Sequence, residues 1–202
     1  ILIPAAYFFF FEFSDAPLNE RIWSSFFQSV TPRTAGFNTV DLTTISETGC
    51  MIMIALMLIG GSPGSTAGGM KTTTFAVMLS NAVSVFRRRE HTHFFGRRIS
   101  SDTLRNAATI FMMYVTLCLV GGCAISYMEN LPPVTCLYET ASAVGTVGLT
   151  LVITPELGLP SQYILIFLMY VGRVGGLTLI FAALTGGRDV SVRLPQEKLT
   201  VG

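Results

Sequence analysis

Charge is what this sequence has least of. Only 12% of its 202 residues are Asp, Glu, Lys or Arg, 50% are hydrophobic, and the mean hydropathy is +0.58. That balance excludes a soluble domain of ordinary composition and indicates an integral membrane protein surrounded by lipid. The formal net charge of +1 argues for no nucleic-acid partner. Histidine is confined to His91 and His93, and a His-x-His pair without further ligands nearby makes no metal site. The four cysteines, Cys50, Cys118, Cys123 and Cys136, lie in or beside apolar segments without metal-ligand spacing, so buried small hydrophobes are expected rather than disulfides. The chain opens at Ile1 inside an apolar run, and the expectation is a fragment or the rear half of something longer.

The apolar segments fall into an order. Residues 1–13 are apolar and aromatic apart from Glu12, too short to cross alone, and read as the outer end of a truncated span. A polar stretch, 14–21, then caps a short helix expected over 22–30. Residues 107–128 are an uncharged crossing, 134–144 are a second short helix, and 162–187 are a last crossing. Both short helices fall below the roughly 20 residues a spanning helix needs. Each would aim its carbonyl end inward, where the negative end of a helix dipole favours a cation. Taken alone, 22–30 fits a surface amphipathic helix with Trp23 and Phe26 at the interface equally well.

After each short helix comes a Thr-x-Gly loop, Thr34-Ala35-Gly36-Phe37 and Thr146-Val147-Gly148-Leu149, with the two glycines 112 positions apart. A loop at membrane depth survives only buried in protein or lining a water-filled cavity. Glycine there lets successive carbonyls turn toward one axis and replace the water around a cation. The expected role is stripping and coordinating potassium.

Residues 48–86 carry one charge, Lys71, and run to nearly twice a span's length. Their middle is Gly60-Gly61-Ser62-Pro63-Gly64-Ser65-Thr66-Ala67-Gly68-Gly69-Met70-Lys71, which no continuous helix would choose. A helix broken at membrane depth is the expectation. A phosphate-binding loop is improper here because Met70 separates Gly69 from Lys71. A flexible connector between two spans would carry more charge.

Six arginines within 87–105 mark a cytoplasmic loop, and the tail adds Arg188, Arg193 and Lys198. Segments 12–47 and 129–156 hold eight acids against Arg21 and Arg33, so they are read as outer segments that concentrate cations. Arg173, central in the last crossing, is costly there and calls for a partner, either the free carbonyls and hydroxyls of the broken segment or an acid elsewhere. The expected fold is therefore an all-α integral membrane protein. It has two tandem repeats of span, pore helix, filter loop and span, with the second span of the first repeat broken. The expected parts are 1–86, a cytoplasmic loop 87–105, 106–187, and a cytoplasmic tail 188–202.

With the 31–39 stretch, the run ending at Thr74, Gly145 to Leu149, and Gly172-Arg173-Val174-Gly175 all in this order, the chain resembles the third and fourth repeats of the Ktr/Trk/HKT superfamily of potassium transporters. It most resembles the C-terminal half of the bacterial Ktr-type membrane subunit. The resemblance implies one pore from four repeats, with Gly36 and Gly148 as two of four filter glycines. It implies that 60–71 is an intramembrane gate touched by Arg173. It further implies potassium as the substrate, sodium as a coupling ion, a front half with two more repeats, a homodimer, a ring of cytoplasmic nucleotide-binding regulatory subunits, and residence in the cell membrane. No covalent cofactor is expected.

Two other classes compete. A sodium-coupled solute symporter also uses broken helices but has no need of paired Thr-x-Gly loops after short helices. A membrane serine hydrolase could use Ser62 or Ser65, yet no base lies within a span, so no enzyme is expected. A piece without transport activity by itself is a third possibility.

Overall fold

The computed structural model describes residues 1–89, 91–94 and 96–175. The chain is mostly helical, in two successive units built on the same plan. In the first, α1 (Leu2–Tyr7) runs into a π-helical turn (Phe8–Glu12), then come α2 (Leu18–Val30), a 3-10 turn (Leu42–Thr44), α3 (Glu47–Leu58) and α4 (Thr72–Phe86). In the second, α5 (Ser101–Glu129) is followed by α6 (Pro133–Val144), a 3-10 turn (Thr154–Glu156) and α7 (Leu159–Val174). The two 3-10 turns start 112 positions apart, as do α3 and α7, matching the offset of the glycine loops.

Among the described residues, α5 is the one helix long and apolar enough to cross a membrane. It extends beyond the expected 107–128 because Ser100 accepts from the Thr103 amide at 3.2 Å, Asp102 lies in its first turn, and Asn130 ends it in the left-handed conformation. Residues 59–71 between α3 and α4 are non-helical. The last expected crossing, 162–187, is described as helix only to Val174, and its remainder and the 188–202 tail lie outside the described residues.

The core centres on α6, where every residue from Tyr138 to Val144 is buried. This helix packs against α3, α5 and α7. Gly121 and Gly122 bring α5 close, since a Cβ on Gly122 would lie 2.6 Å from Leu137 Cδ2. Thr140 donates toward the Cys118 carbonyl of α5 at 3.2 Å, and the Tyr138 hydroxyl reaches Met53 Sδ of α3 at 3.8 Å. Outward, large apolar side chains are exposed, among them Ile3, Phe86 and Tyr127, a surface that suits lipid rather than water.

Three expectations change. The first short helix begins at Leu18 rather than at 22, because Pro17 presets the entry angle and Glu20 sits in the first turn, where the helix dipole favours an acid. The fold is not wholly helical: His93–Phe94 pairs antiparallel with Arg97–Arg98, a short hairpin held to α4 by Ser80 Oγ on the His93 carbonyl at 3.0 Å. All four cysteines are free, but Cys123 is exposed, because Gly121 and Gly122 take the face of α5 that packs inward.

Gly122→Leu forces α5 away from α6 and should cost about 1–3 kcal/mol, the usual range for overpacking. Thermal unfolding of the detergent-solubilised protein checks this, and an unchanged midpoint would count against close α5–α6 packing.

Candidate functional site

The two Thr-x-Gly loops have the same backbone. Thr34 and Gly36 have φ of 63° and 75°, Thr146 and Gly148 have 54° and 91°, while Ala35 and Val147 between them are not left-handed. A left-handed threonine costs about 1–2 kcal/mol, and its presence at equivalent places in both units marks a built geometry. Alternating handedness turns successive peptide planes the same way, with amides to one side and carbonyls to the other.

The amides turn to the short helices. In the first loop, the amides of Ala35 and Gly36 reach the Thr31 carbonyl at 3.2 and 3.1 Å. In the second, Thr146 N reaches the Ala143 carbonyl at 3.1 Å, Val147 N the Ser142 carbonyl at 2.9 Å, and Gly148 N the Ser142 hydroxyl at 3.2 Å. Among the described residues, no hydrogen bond reaches the carbonyl oxygens of Thr34, Ala35, Gly36, Thr146, Val147 or Gly148. Carbonyls left without donors in an apolar protein are ligands for water or a cation. The loops also touch each other, since a Cβ on Gly36 would lie 2.0 Å from the Val147 carbonyl oxygen. Around Gly148 the space is open.

Beneath them lies the segment 59–71. Its ends are zipped together by Gly60 N on the Met70 carbonyl at 2.8 Å and Thr72 N on the Gly61 carbonyl at 3.1 Å. Its middle turns on Ser62, whose carbonyl accepts from Ser65 N and Oγ at 3.2 and 2.6 Å, next to Pro63 and the left-handed Gly64. Lys71 closes the turn by donating to the carbonyls of Ser65, at 3.2 Å, and Ala67. Arg173 Nη1 donates to the Thr66 carbonyl at 2.7 Å, and Gly69 N to the Gly172 carbonyl at 3.2 Å, tying the segment to α7. Thr34, Ser65, Thr66, Ala67, Gly68, Thr146 and Arg173 line a cavity of about 240 Å³. A Cβ on Gly68 would lie 2.0 Å from Thr146 Oγ1, a buried hydroxyl without a partner among the described residues. The sequence-derived residues are thus brought together: both loops, the broken segment and Arg173 meet around one small space. Phe37 and Leu149 differ in setting, the first exposed and the second buried.

Sequence reasoning counted Glu12, Glu129 and Glu139 among acids at an outer mouth. All three are instead bonded within the protein. Glu12 accepts from the Ser46 amide at 3.0 Å and the Ser46 hydroxyl, and Glu129 accepts from the Gly158 amide at 2.9 Å and the Ser161 hydroxyl at 2.6 Å. Each thereby caps the helix that follows its loop, α3 or α7. Glu139 is buried behind the second loop, and the signal that could have found it is an acid amid the apolar residues 134–144. Asp15, Glu20, Asp41, Glu47 and Glu156 remain exposed. The Thr43 hydroxyl and amide, both bonded to Asp41, hold that carboxyl below its ordinary range.

Paired left-handed loops inside a helical, lipid-suited exterior define the class as a helical membrane protein. The family of TrkH cation transport proteins matches over residues 11–198, and the chain belongs to that family. It is a family of transporters, not enzymes. The potassium/sodium uptake protein NtpJ of Enterococcus hirae is 38% identical over 189 residues, covering 91% of this chain and 42% of that protein. The Ktr system potassium uptake protein B of Bacillus subtilis is 36% identical over 183 residues, covering 91% of this chain and 41% of that one. The chain therefore spans about two fifths of these relatives' length. The crystal structure of the potassium transporter TrkH from Vibrio parahaemolyticus superposes with a TM-score of 0.78 over 92% of this chain and 42% of that one; at 19% identity this likeness establishes the fold. The family does not favour an organic-solute symporter.

The two glycines should respond differently to alanine. Gly148→Ala meets open space and incurs only its left-handed backbone, about 1–2 kcal/mol. Gly36→Ala adds a collision with the Val147 carbonyl and should lower the thermal midpoint further, by an additional ~1–3 kcal/mol equivalent. Equal midpoints would contradict the contact between the loops.

Proposed function

We propose that this chain is the rear half of a potassium uptake transporter, contributing two of four repeats around one pore. The observation that carries the reading is the set of donor-free carbonyls in two equivalent loops, each following the C-terminal, carbonyl end of a short helix. The names of two relatives, a potassium/sodium uptake protein and a potassium uptake protein, support potassium as substrate.

Potassium loses water at the outer side and is held by carbonyls of Thr34, Ala35 and Gly36 and of Thr146, Val147 and Gly148. The opposite half of the ring comes from the front half of the full-length protein. Phe37 and Leu149 follow as the outer flank of each loop. Below, the segment Gly60 to Lys71 is the gate. It blocks the pore while Arg173 holds Thr66 and opens when that hold is released, a shift between two populations. Residues 47–86 are then one span broken at the gate. The units 1–86 and 106–187 are the two pore modules, and 87–105 with 188–202 face the cytoplasm, where a ring of nucleotide-binding regulatory subunits rests. The working form is a homodimer in the cell membrane, and sodium is the coupling ion.

A potassium-uptake-deficient bacterium, grown on limiting potassium with rubidium uptake as readout, tests this. The chain joined to a matching front half should rescue growth, whereas the chain alone should not. No uptake by the joined form, despite confirmed insertion, would overturn the reading. In the joined form, Gly148→Ser should reduce potassium selectivity because a side chain strains the left-handed backbone that sets the carbonyls and projects into the open space beside the loop. Deleting 64–69 should raise flux; an equal or lower flux would remove the gate from the account.

A further inference from the structure

Behind the second loop sits a carboxyl group with no counterpart behind the first. Glu139, in the middle of α6, is 4% exposed. Three donors converge on it: the Thr150 hydroxyl at 2.7 Å and the Leu151 amide at 2.8 Å on Oε1, and the Thr154 hydroxyl at 2.8 Å on Oε2. The two threonine hydroxyls also lie 3.1 Å apart, closing the network. One helical turn on, Ser142 accepts from the Gly148 amide at 3.2 Å. Glu139 and Ser142 are three positions apart and so share one face of α6. That face grips the chain at Gly148 and again across 150–154.

At the equivalent positions, 112 residues earlier, stand Phe27 and Val30, which have no polar side-chain atoms. The first loop is pinned differently, by the Thr31 hydroxyl donating to the Phe37 carbonyl at 2.5 Å. The two loops therefore share a backbone but not a support.

We propose that Glu139 is a positioning residue that sets ion discrimination by holding the 148–154 stretch against α6. The inference rests on reading the loops as half of a cation filter. A loop free to close around a smaller ion of the same charge would accept sodium, and one anchored on both sides of its glycine cannot contract. The network resists that contraction because drawing the stretch away from α6 would leave the buried Glu139 carboxyl without its three donors. Glu139 touches no ion and acts through the backbone of Thr146 to Gly148.

The test is the ratio of potassium to sodium uptake by the full-length protein carrying both halves, normalised to the amount in the membrane. Glu139→Ala removes all three bonds and should lower the ratio at least about fivefold, the factor that the net worth of one hydrogen bond corresponds to. Glu139→Gln should stay near the parent, because its carbonyl still accepts from Thr150 and Leu151 and its amide can donate to a turned Thr154 hydroxyl. The double variant Thr150→Val with Thr154→Val leaves the carboxyl in place and should also lower the ratio; if Glu139→Ala fails to insert, it decides the matter. Less protein in the membrane at an unchanged ratio would mean a merely structural role and would overturn the proposal. Gly148→Ser is the control that separates the two claims. If it lowers the ratio while the Glu139 and threonine variants do not, the filter stands and Glu139 falls; if none of them moves the ratio, the filter reading itself fails.

Discussion

In an apolar protein every backbone amide and carbonyl that leaves a helix must find a partner, because lipid supplies none. The described chain leaves its helices at the two Thr-x-Gly loops and at the segment 59–71, and the loops are resolved one way and the segment another. The loop amides end on the short helices. Segment 59–71 closes on itself through Gly60, Ser62 and Lys71 and leans on α7 through Arg173 and Gly69. Among the described residues the carbonyls of both loops accept from no donor, so the accounting that stabilises the fold leaves those groups available to an ion.

That accounting also explains why α6 is central. A helix buried over 138–144 is expected to be wholly apolar, yet this one carries Glu139, Thr140 and Ser142. Each polar group on it serves a neighbour: Thr140 joins α5, while Glu139 and Ser142 hold the loop that follows. Glu12 and Glu129 repeat the logic at the start of α3 and α7. In the second unit the Ser161 hydroxyl donates to Glu129; at the equivalent place in the first stands Gly49, where a Cβ would lie 2.6 Å from Glu12 Oε1. Equivalent clamps thus coexist with different packing, as two diverged copies of one unit would show.

Much of this was legible in the sequence. The glycine cores at 36 and 148, the short helix before the second, and the glycine-rich interruption after 58 are written in composition and spacing, and the structure puts helix boundaries within a few residues of them. Arg173 called for a partner, either a carbonyl or hydroxyl of the broken segment or an acid elsewhere, and among the described residues it bonds the Thr66 carbonyl. The misses have physical causes. Residues 19–21 are polar yet helical because Pro17 opens the helix one turn early. The 93–98 hairpin rests on two backbone pairings that no periodicity announces. Glu139 was hidden because charge counting treats an acid as solvated, whereas its partners at 150–154 come together only when the loop folds back on α6.

The central claim is that the loops at Thr34 to Gly36 and Thr146 to Gly148 hold the transported ion. An experimental structure of the full-length protein grown or soaked in rubidium, with the ion located by its anomalous scattering, tests this most directly. The account predicts rubidium between the two loops, coordinated by their backbone carbonyls and replaced when excess potassium is added. Rubidium bound elsewhere in a transport-competent protein, with these carbonyls facing only water or protein, would contradict it.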